Sequence, residues 1–152
     1  MVIGKQSAGL YTDFLGSGKE FGVHLTYRIQ EEAGGIAEAL ELGRGFVAEG
    51  ERFVVLLGDN LFMDDLKPFV DGFVRQPEGT AKVLLKQVKD ARRYGVPVFD
   101  EKNKELIAKI EEKPAQPKSS YCVTGIYMYD TAVFDIISQI HPRNAGSLKL
   151  RM

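Results

Sequence analysis

Apolar and polar residues alternate from Val23 to Gln30, with Val23, Leu25, Tyr27 and Ile29 separated by His24, Thr26, Arg28 and Gln30. A period of two predicts a strand with differently lined faces. After Gly34-Gly35 the period lengthens: Ile36, Ala39, Leu40, Gly43 and Val47 recur every third or fourth residue, which predicts a helix of about three turns. Phe53-Val54-Val55-Leu56-Leu57 is an unbroken apolar run that stops at Gly58-Asp59-Asn60. Such a run predicts a strand buried on both faces, as in a parallel sheet covered by helices. Leu66 to Val74 is helical again, with Pro68 tolerable near the first turn, and Gln76-Pro77-Glu78-Gly79 closes it.

The ends and the second half complete the pattern. Met1-Val2-Ile3-Gly4 reads as the end of a buried strand, and Ser7 can cap a short helix through Leu15 that Gly16-Ser17-Gly18 ends. Strand-like runs follow at Ala81–Val88, Val96–Phe99, Leu106–Ile110 and Tyr121–Tyr129, then a helix from about Ala132 to Ile140. Strand and helix alternate, which predicts an α/β sandwich of Rossmann-like type: a mostly parallel sheet flanked by helices, with an added, partly antiparallel region in the middle. No repeat, low-complexity tract or linker divides the chain. The last seven residues, Gly146 to Met152, complete no element.

Composition narrows the function classes. A length of 152 residues suits one domain, and a formal charge of −1 gives no electrostatic reason to bind nucleic acid or an anionic membrane. With 44% hydrophobic and 27% charged residues the chain lies outside the disordered regime. The apolar runs fall far short of the ~18–20 residues that span a bilayer. The N-terminus lacks the basic start and long apolar run of a signal peptide, and the single Cys122 cannot form an intrachain disulfide, so the expected setting is the reducing cytoplasm. Glycine is over-represented, with 16 residues, against a usual share of about 7%.

Several catalytic machines are excluded by pattern. No G-x-G-x-x-G, G-x-x-x-x-G-K-[ST] or G-x-S-x-G occurs, and His24 and His141 lack partners at metal-ligand spacing. Three segments remain. Asp59, at the carboxyl end of an apolar strand and beside Gly58, can hold one Mg²⁺ against substrate phosphates; Asp59 and Asn60 equally suit an Asx-type turn. Gln30 carries a paired donor and acceptor that can match a pyrimidine edge, and backbone N–H groups around Gly35 can meet a ligand; a glycine-requiring strand-to-helix turn explains the same residues. Glu112 can accept from sugar hydroxyls and Lys113 can neutralise a phosphate, although an E-E-K triplet is also an ordinary solvated strand end. Cys122 reads as a small buried residue without a basic partner.

Taken in order, Tyr27-Arg28-Ile29-Gln30 with Gly34-Gly35-Ile36-Ala37-Glu38-Ala39, Leu57-Gly58-Asp59-Asn60, Arg93-Tyr94-Gly95-Val96, Ile110-Glu111-Glu112-Lys113-Pro114 and Thr124-Gly125-Ile126-Tyr127 resemble the sugar-1-phosphate nucleotidyltransferase family. Within it they most resemble the glucose-1-phosphate thymidylyltransferase branch. The resemblance runs from Met1 to about Ile140. It implies transfer of a nucleoside monophosphate from dTTP or UTP to glucose 1-phosphate, with Mg²⁺ as cofactor and pyrophosphate as leaving group. By the same resemblance Asp59 is a Mg²⁺ carboxylate at the nucleotide, Gln30 and Gly35 read the base, Tyr94, Gly95, Glu112 and Val123 line the sugar site, and Lys113 meets the sugar phosphate. Homo-oligomerisation is left open, and no nucleic acid or membrane partner is implied.

The departures from the family pattern carry their own expectation. The family's first strand, its G-G-x-G-T-R-L-x-P-x-T loop with the following Pro-Lys pair, and its second metal-binding Asp do not occur in residues 1–152. Where the family reads roughly Arg-Gly-Glu-Leu-Glu-Ile, this chain has Ala145-Gly146-Ser147-Leu148-Lys149-Leu150. Residues 1–152 are therefore expected to form a partial nucleotidyltransferase domain, truncated at both ends, that contains no catalytic basic loop and has little activity alone. The rival expectation is a non-catalytic module that retains the sugar-phosphate pocket.

Overall fold

The computed structural model describes residues 1–139. Two compact units are formed, one from Met1–Ala48 with the segment beginning at Phe134, the other from Glu49–Val133.

In the first unit β1 (Val2–Gly4) lies parallel to β2 (Arg28–Gln30), with Ile3 opposite Ile29. Between them a 3-10 turn, Lys5–Ser7, leads into α1 (Ala8–Leu15), which ends at Gly16 with φ 51°. Ser7 makes no capping bond. The alternating stretch from Val23 to Ile29 pairs as a strand only from Arg28 onward. Its earlier half is held elsewhere: Val23 and Leu25 donate their N–H groups to Gly18 O and Ser17 O, and both side chains fill the space a Cβ on Gly18 would need. Alternation without a neighbouring strand does not form a ladder. Then α2 (Ile36–Leu42) begins at Gly35, whose φ of 88° suits glycine, and it stops a turn short of the predicted Val47. Gly43 and Gly45, the latter at φ 80°, interrupt the helix, and Arg44 leaves it to bond Glu41, Phe134 O and Ser138 Oγ.

The second unit is built on a three-stranded sheet in the order β3-β7-β4, where β3 is Arg52–Leu56, β4 is Lys82–Gln87 and β7 is Tyr121–Asp130. Both pairings are antiparallel, as is the hairpin of β5 (Gly95–Phe99) and β6 (Ile107–Glu112). The expected α/β class stands, but the mostly parallel sheet does not: among the described residues β1–β2 is the one parallel ladder. The misleading feature is the apolar run of β3. Leu57 N donates to Gly125 O, so the odd-numbered residues of β3 bond to β7, and Arg52, Val54 and Leu56 turn their backbone groups to the other edge, where the sheet of described residues ends. The run is an edge strand with Val54 38% and Leu56 57% exposed, not one buried on both faces.

One face of this sheet is covered by α3 (Lys67–Val74). Phe73, Ile126 and Met128 are buried there together, with Phe62, Leu66, Val70 and Leu84 packed around them. Arg52 fixes the end of the helix by donating to Phe73 O and Gln76 O while its guanidinium lies over the Phe73 ring, which satisfies carbonyls that a helix terminus leaves open. At the end of β7 the buried Asp130 accepts from Gly79 N and from Ala132 N as the chain enters α4 (Ala132–Gln139). Ile140, the expected last residue of that helix, and the Ala145–Leu150 segment lie outside the described residues. Among the described residues no helix is long and apolar enough to cross a membrane.

Candidate functional site

The carboxyl end of β3 turns sharply at Leu57-Gly58-Asp59-Asn60. Leu57 N donates to Gly125 O at 2.9 Å, Leu57 O accepts from Asn60 N at 3.2 Å, and Asn60 Nδ2 donates to Asp59 Oδ1 at 2.7 Å. The turn and the carboxylate alternatives for Asp59 are therefore compatible: the turn presents the exposed carboxylate. Asn60 is a residue that sequence reasoning left in the turn and outside the site.

A second carboxylate, Glu112, lies on the β5–β6 ladder. Gly95 stands opposite Glu112 on the β5–β6 ladder, and a Cβ on Gly95 would meet Ile110 Cγ2 at 3.2 Å, Glu112 Oε2 at 3.4 Å and Val123 Cβ at 3.9 Å. Three residues separated by up to 28 positions in sequence, Gly95, Glu112 and Val123, thus converge. Lys113 N donates to Tyr94 O, which joins the next predicted pair, and Lys113 Nζ lies 3.8 Å from Glu112 Oε1. The lysine backbone has φ 44°, a left-handed conformation uncommon for a residue with a side chain.

Tyr127, two residues beyond Gly125 on β7, is partly buried. Burial raises its phenol pKa, and the negative charges of Glu112 and of Asp59 add to the rise. Its ring stacks parallel to that of Tyr129, with centroids 6.3 Å apart. Sequence reasoning placed Tyr127 in a matching stretch without giving it a role; its alternation with Gly125 and Tyr129 on β7 was the available signal.

In the first unit Gln30 Nε2 donates to Gly35 O at 3.4 Å, so the two predicted base-reading residues are neighbours across one turn. Glu38 folds its carboxylate over Gly34, where any Cβ would clash at 1.2 Å. Cys122 is buried in β7, as its small-residue reading expected.

A metal ion fits only in part of this arrangement. Asp59 offers an oriented hard oxygen, and Mg²⁺ commonly takes one or two protein carboxylates and completes its shell with water and substrate phosphate. Among the described residues no group of three His, Cys, Asp or Glu side chains could enclose an ion. A surface hollow lined by Lys89, Asp90, Arg92, Lys118 and Ser120 among others lies on different residues from this cluster. Its Arg92 is already paired with Asp90 at 2.8 Å, so the open sheet end is the better chemical candidate.

Comparison with known proteins gives the family. The Nucleotidyl transferase family matches residues 1–151. The glucose-1-phosphate thymidylyltransferase of Neisseria gonorrhoeae is 34% identical over 152 residues, covering 99% of this chain and 51% of that protein. The enzyme of the same name from Xanthomonas campestris pv. campestris strain B100 is 36% identical over 145 residues, covering 93% of this chain and 47% of its own. This chain therefore spans about half the length of the curated relatives it matches. A crystal structure from Bacillus anthracis, provisionally named a glucose-1-phosphate thymidylyltransferase and solved with sucrose, superposes with a TM-score of 0.84 at 52% identity, covering 93% of this chain and 55% of that one. A UDP-glucose pyrophosphorylase bound to UDP-glucose shares the fold at a TM-score of 0.72 and 22% identity, over 93% of this chain and 61% of that one. With the family matching residues 1–151, through both units, the chain belongs to the nucleotidyl transferase family.

Proposed function

We propose that residues 1–152 form part of a cytoplasmic nucleotidyltransferase domain whose reaction joins a nucleoside monophosphate from dTTP or UTP to glucose 1-phosphate, releasing pyrophosphate. The observation that carries this reading is the convergence of Gly95, Glu112 and Val123, distant in sequence, beside Lys113. The names of the relatives support the same substrates.

In this reading Glu112 accepts from sugar hydroxyls, and Gly95 lets Glu112 and Val123 approach closely to line the sugar site with Tyr94. Lys113 neutralises the sugar phosphate. Gln30 and Gly35 read the pyrimidine. Asp59 would hold Mg²⁺, which supplies charge neutralisation at the phosphates when bound. Alignment of the attacking phosphate oxygen with the α-phosphorus is the larger part of phosphoryl-transfer catalysis. No glycine-rich loop with basic residues occurs in the 152 residues to grip a triphosphate. We therefore expect ligand binding to exceed turnover in this chain.

Calorimetry with glucose 1-phosphate, beside pyrophosphate release from dTTP or UTP with Mg²⁺, tests the reading. Saturable binding that Glu112→Gln weakens supports it. Turnover matching a full-length relative would overturn the expectation of low activity, and absence of any glucose 1-phosphate binding would overturn the substrate. Binding without turnover in every completed form of the domain would favour the rival, a non-catalytic sugar-phosphate module.

A further inference from the structure

We infer that Gly125, through Asn60, is a positioning residue for the Asp59 carboxylate; the inference rests on the reading of Asp59 as a metal-binding group. Gly125 is buried in the middle of β7, the central strand, where glycine ordinarily weakens a sheet and needs another reason to be there. Its backbone is not in the left-handed region, so conformational freedom is not the reason. Space is. A Cβ on Gly125 would lie 2.3 Å from Asn60 Nδ2, 2.7 Å from Asn60 Cγ and 3.1 Å from Leu57 Cβ. The Asn60 amide occupies the volume that a side chain at 125 would take.

That placement closes a short circuit of contacts. Gly125 O accepts from Leu57 N, Leu57 O accepts from Asn60 N, and Asn60 Nδ2, seated on Gly125, donates to Asp59 Oδ1. The strand that carries Tyr127 therefore also sets the height of the Asn60 amide and, through it, the orientation of the carboxylate. An added methyl cannot be absorbed by turning Asn60 away without breaking the 2.7 Å bond, and Leu57 limits movement on the other side. Unlike a general packing role, this one predicts that the effect of Gly125 passes through Asn60 alone. Partners that orient metal-ligating side chains typically alter metal affinity 10- to 100-fold when removed.

The test is Mn²⁺ binding to the 152-residue chain, followed by the electron paramagnetic resonance of the free ion, with a thermal melt of each variant. Parent and Asp59→Asn are compared first, then Asn60→Ala, Gly125→Ala and the double variant. The expected result is Asp59-dependent binding that Asn60→Ala and Gly125→Ala each weaken roughly tenfold, with the double variant no weaker than Asn60→Ala. Binding unchanged in Gly125→Ala, even with a lower melting temperature, overturns the inference, and so do losses that multiply in the double variant. Asn60→Ala removes an amide at a partly exposed turn and keeps the test open if Gly125→Ala does not fold; full affinity in Asn60→Ala is then the overturning result. Equal binding by parent and Asp59→Asn overturns the metal reading itself, which separates the two failures.

Discussion

Gly95 and Glu112 face each other across the β5–β6 ladder, and the glutamate Oε2 lies 3.4 Å from where a Cβ on the glycine would stand. Because Gly95 has no left-handed backbone, what it provides is the close approach of Ile110, Glu112 and Val123, and a Cβ there would already crowd Ile110 Cγ2 at 3.2 Å. Gly95→Val suits a strand by propensity but should push Ile110 and the Glu112 carboxylate from their places. We expect it to abolish measurable glucose 1-phosphate binding and to lower the melting temperature. Glu112→Gln, which keeps shape and removes charge, should weaken binding roughly 10- to 100-fold, the range of a charged hydrogen bond worth about 1.5–3 kcal/mol. Titration calorimetry on both variants reads this directly.

The parity of β3 gives a second expectation. Its odd residues bond to β7, so proline at the even position 54 removes an outward N–H and no bond of the β3–β7 ladder. An exposed apolar strand edge is a template for pairing with other chains. Static light scattering at rising concentration should therefore be lower for Val54→Pro than for the parent, and equal scattering would remove the edge from the explanation. Ile126→Ala, on β7 opposite Leu56 and fully buried against Phe73, should instead cost about 2–5 kcal/mol in urea unfolding through the cavity it leaves.

Much of the local structure was legible because apolar spacing reports burial. Runs such as Lys67–Val74 and Tyr121–Asp130 fell within a residue or so of the predicted bounds. Strand direction was not legible, since Phe53–Leu57 reads alike as a buried parallel strand or as an edge strand whose next neighbour is not among the described residues. Helix α2 ended early because Arg44 found partners some 90 positions away, which no local window contains. The site divides the same way. Asp59 and Glu112 were visible as carboxylates at strand ends, whereas Asn60 and Gly125 acquire meaning only when one fills the space the other leaves.

Asp90 offers a check on surface electrostatics. Its carboxyl pKa is lowered to about 2 by the hydrogen bonds and charge of Arg92, joined by Arg93. A depressed carboxylate stabilises the fold above its unfolded pKa near 3.9, and that contribution is lost as pH falls toward 2. Both groups are at the surface, so added salt should shrink the effect. Carbon-detected NMR should place the Asp90 midpoint near 2 in the parent and return it toward the ordinary range in Arg92→Ala; a midpoint unchanged by that substitution would show that the pair does not set it.

The tyrosines test whether Asp59 and Glu112 act on one group. Six tyrosines are present, and Tyr127 and Tyr129 have phenol pKa values raised mainly by burial, Tyr127 further by Glu112 and Asp59, Tyr129 further by Tyr127. A phenol raised in the folded state favours folding below the unfolded pKa near 10, and the contribution is lost as pH rises through the folded value. In an alkaline titration followed by tyrosinate absorbance, the stacked pair should ionise above the ordinary tyrosine range, accompanied by unfolding. Removing a negative neighbour must then move only its own target. Glu112→Gln and Asp59→Asn should each lower the Tyr127 midpoint and their double variant should lower it further, whereas Asp90→Asn, in the hollow lined by Lys89 and Lys118, should leave it in place. If Glu112→Gln alone shifts Tyr127, Asp59 is not part of the same site, and the proposed meeting of nucleotide and sugar chemistry on β7 fails at that residue.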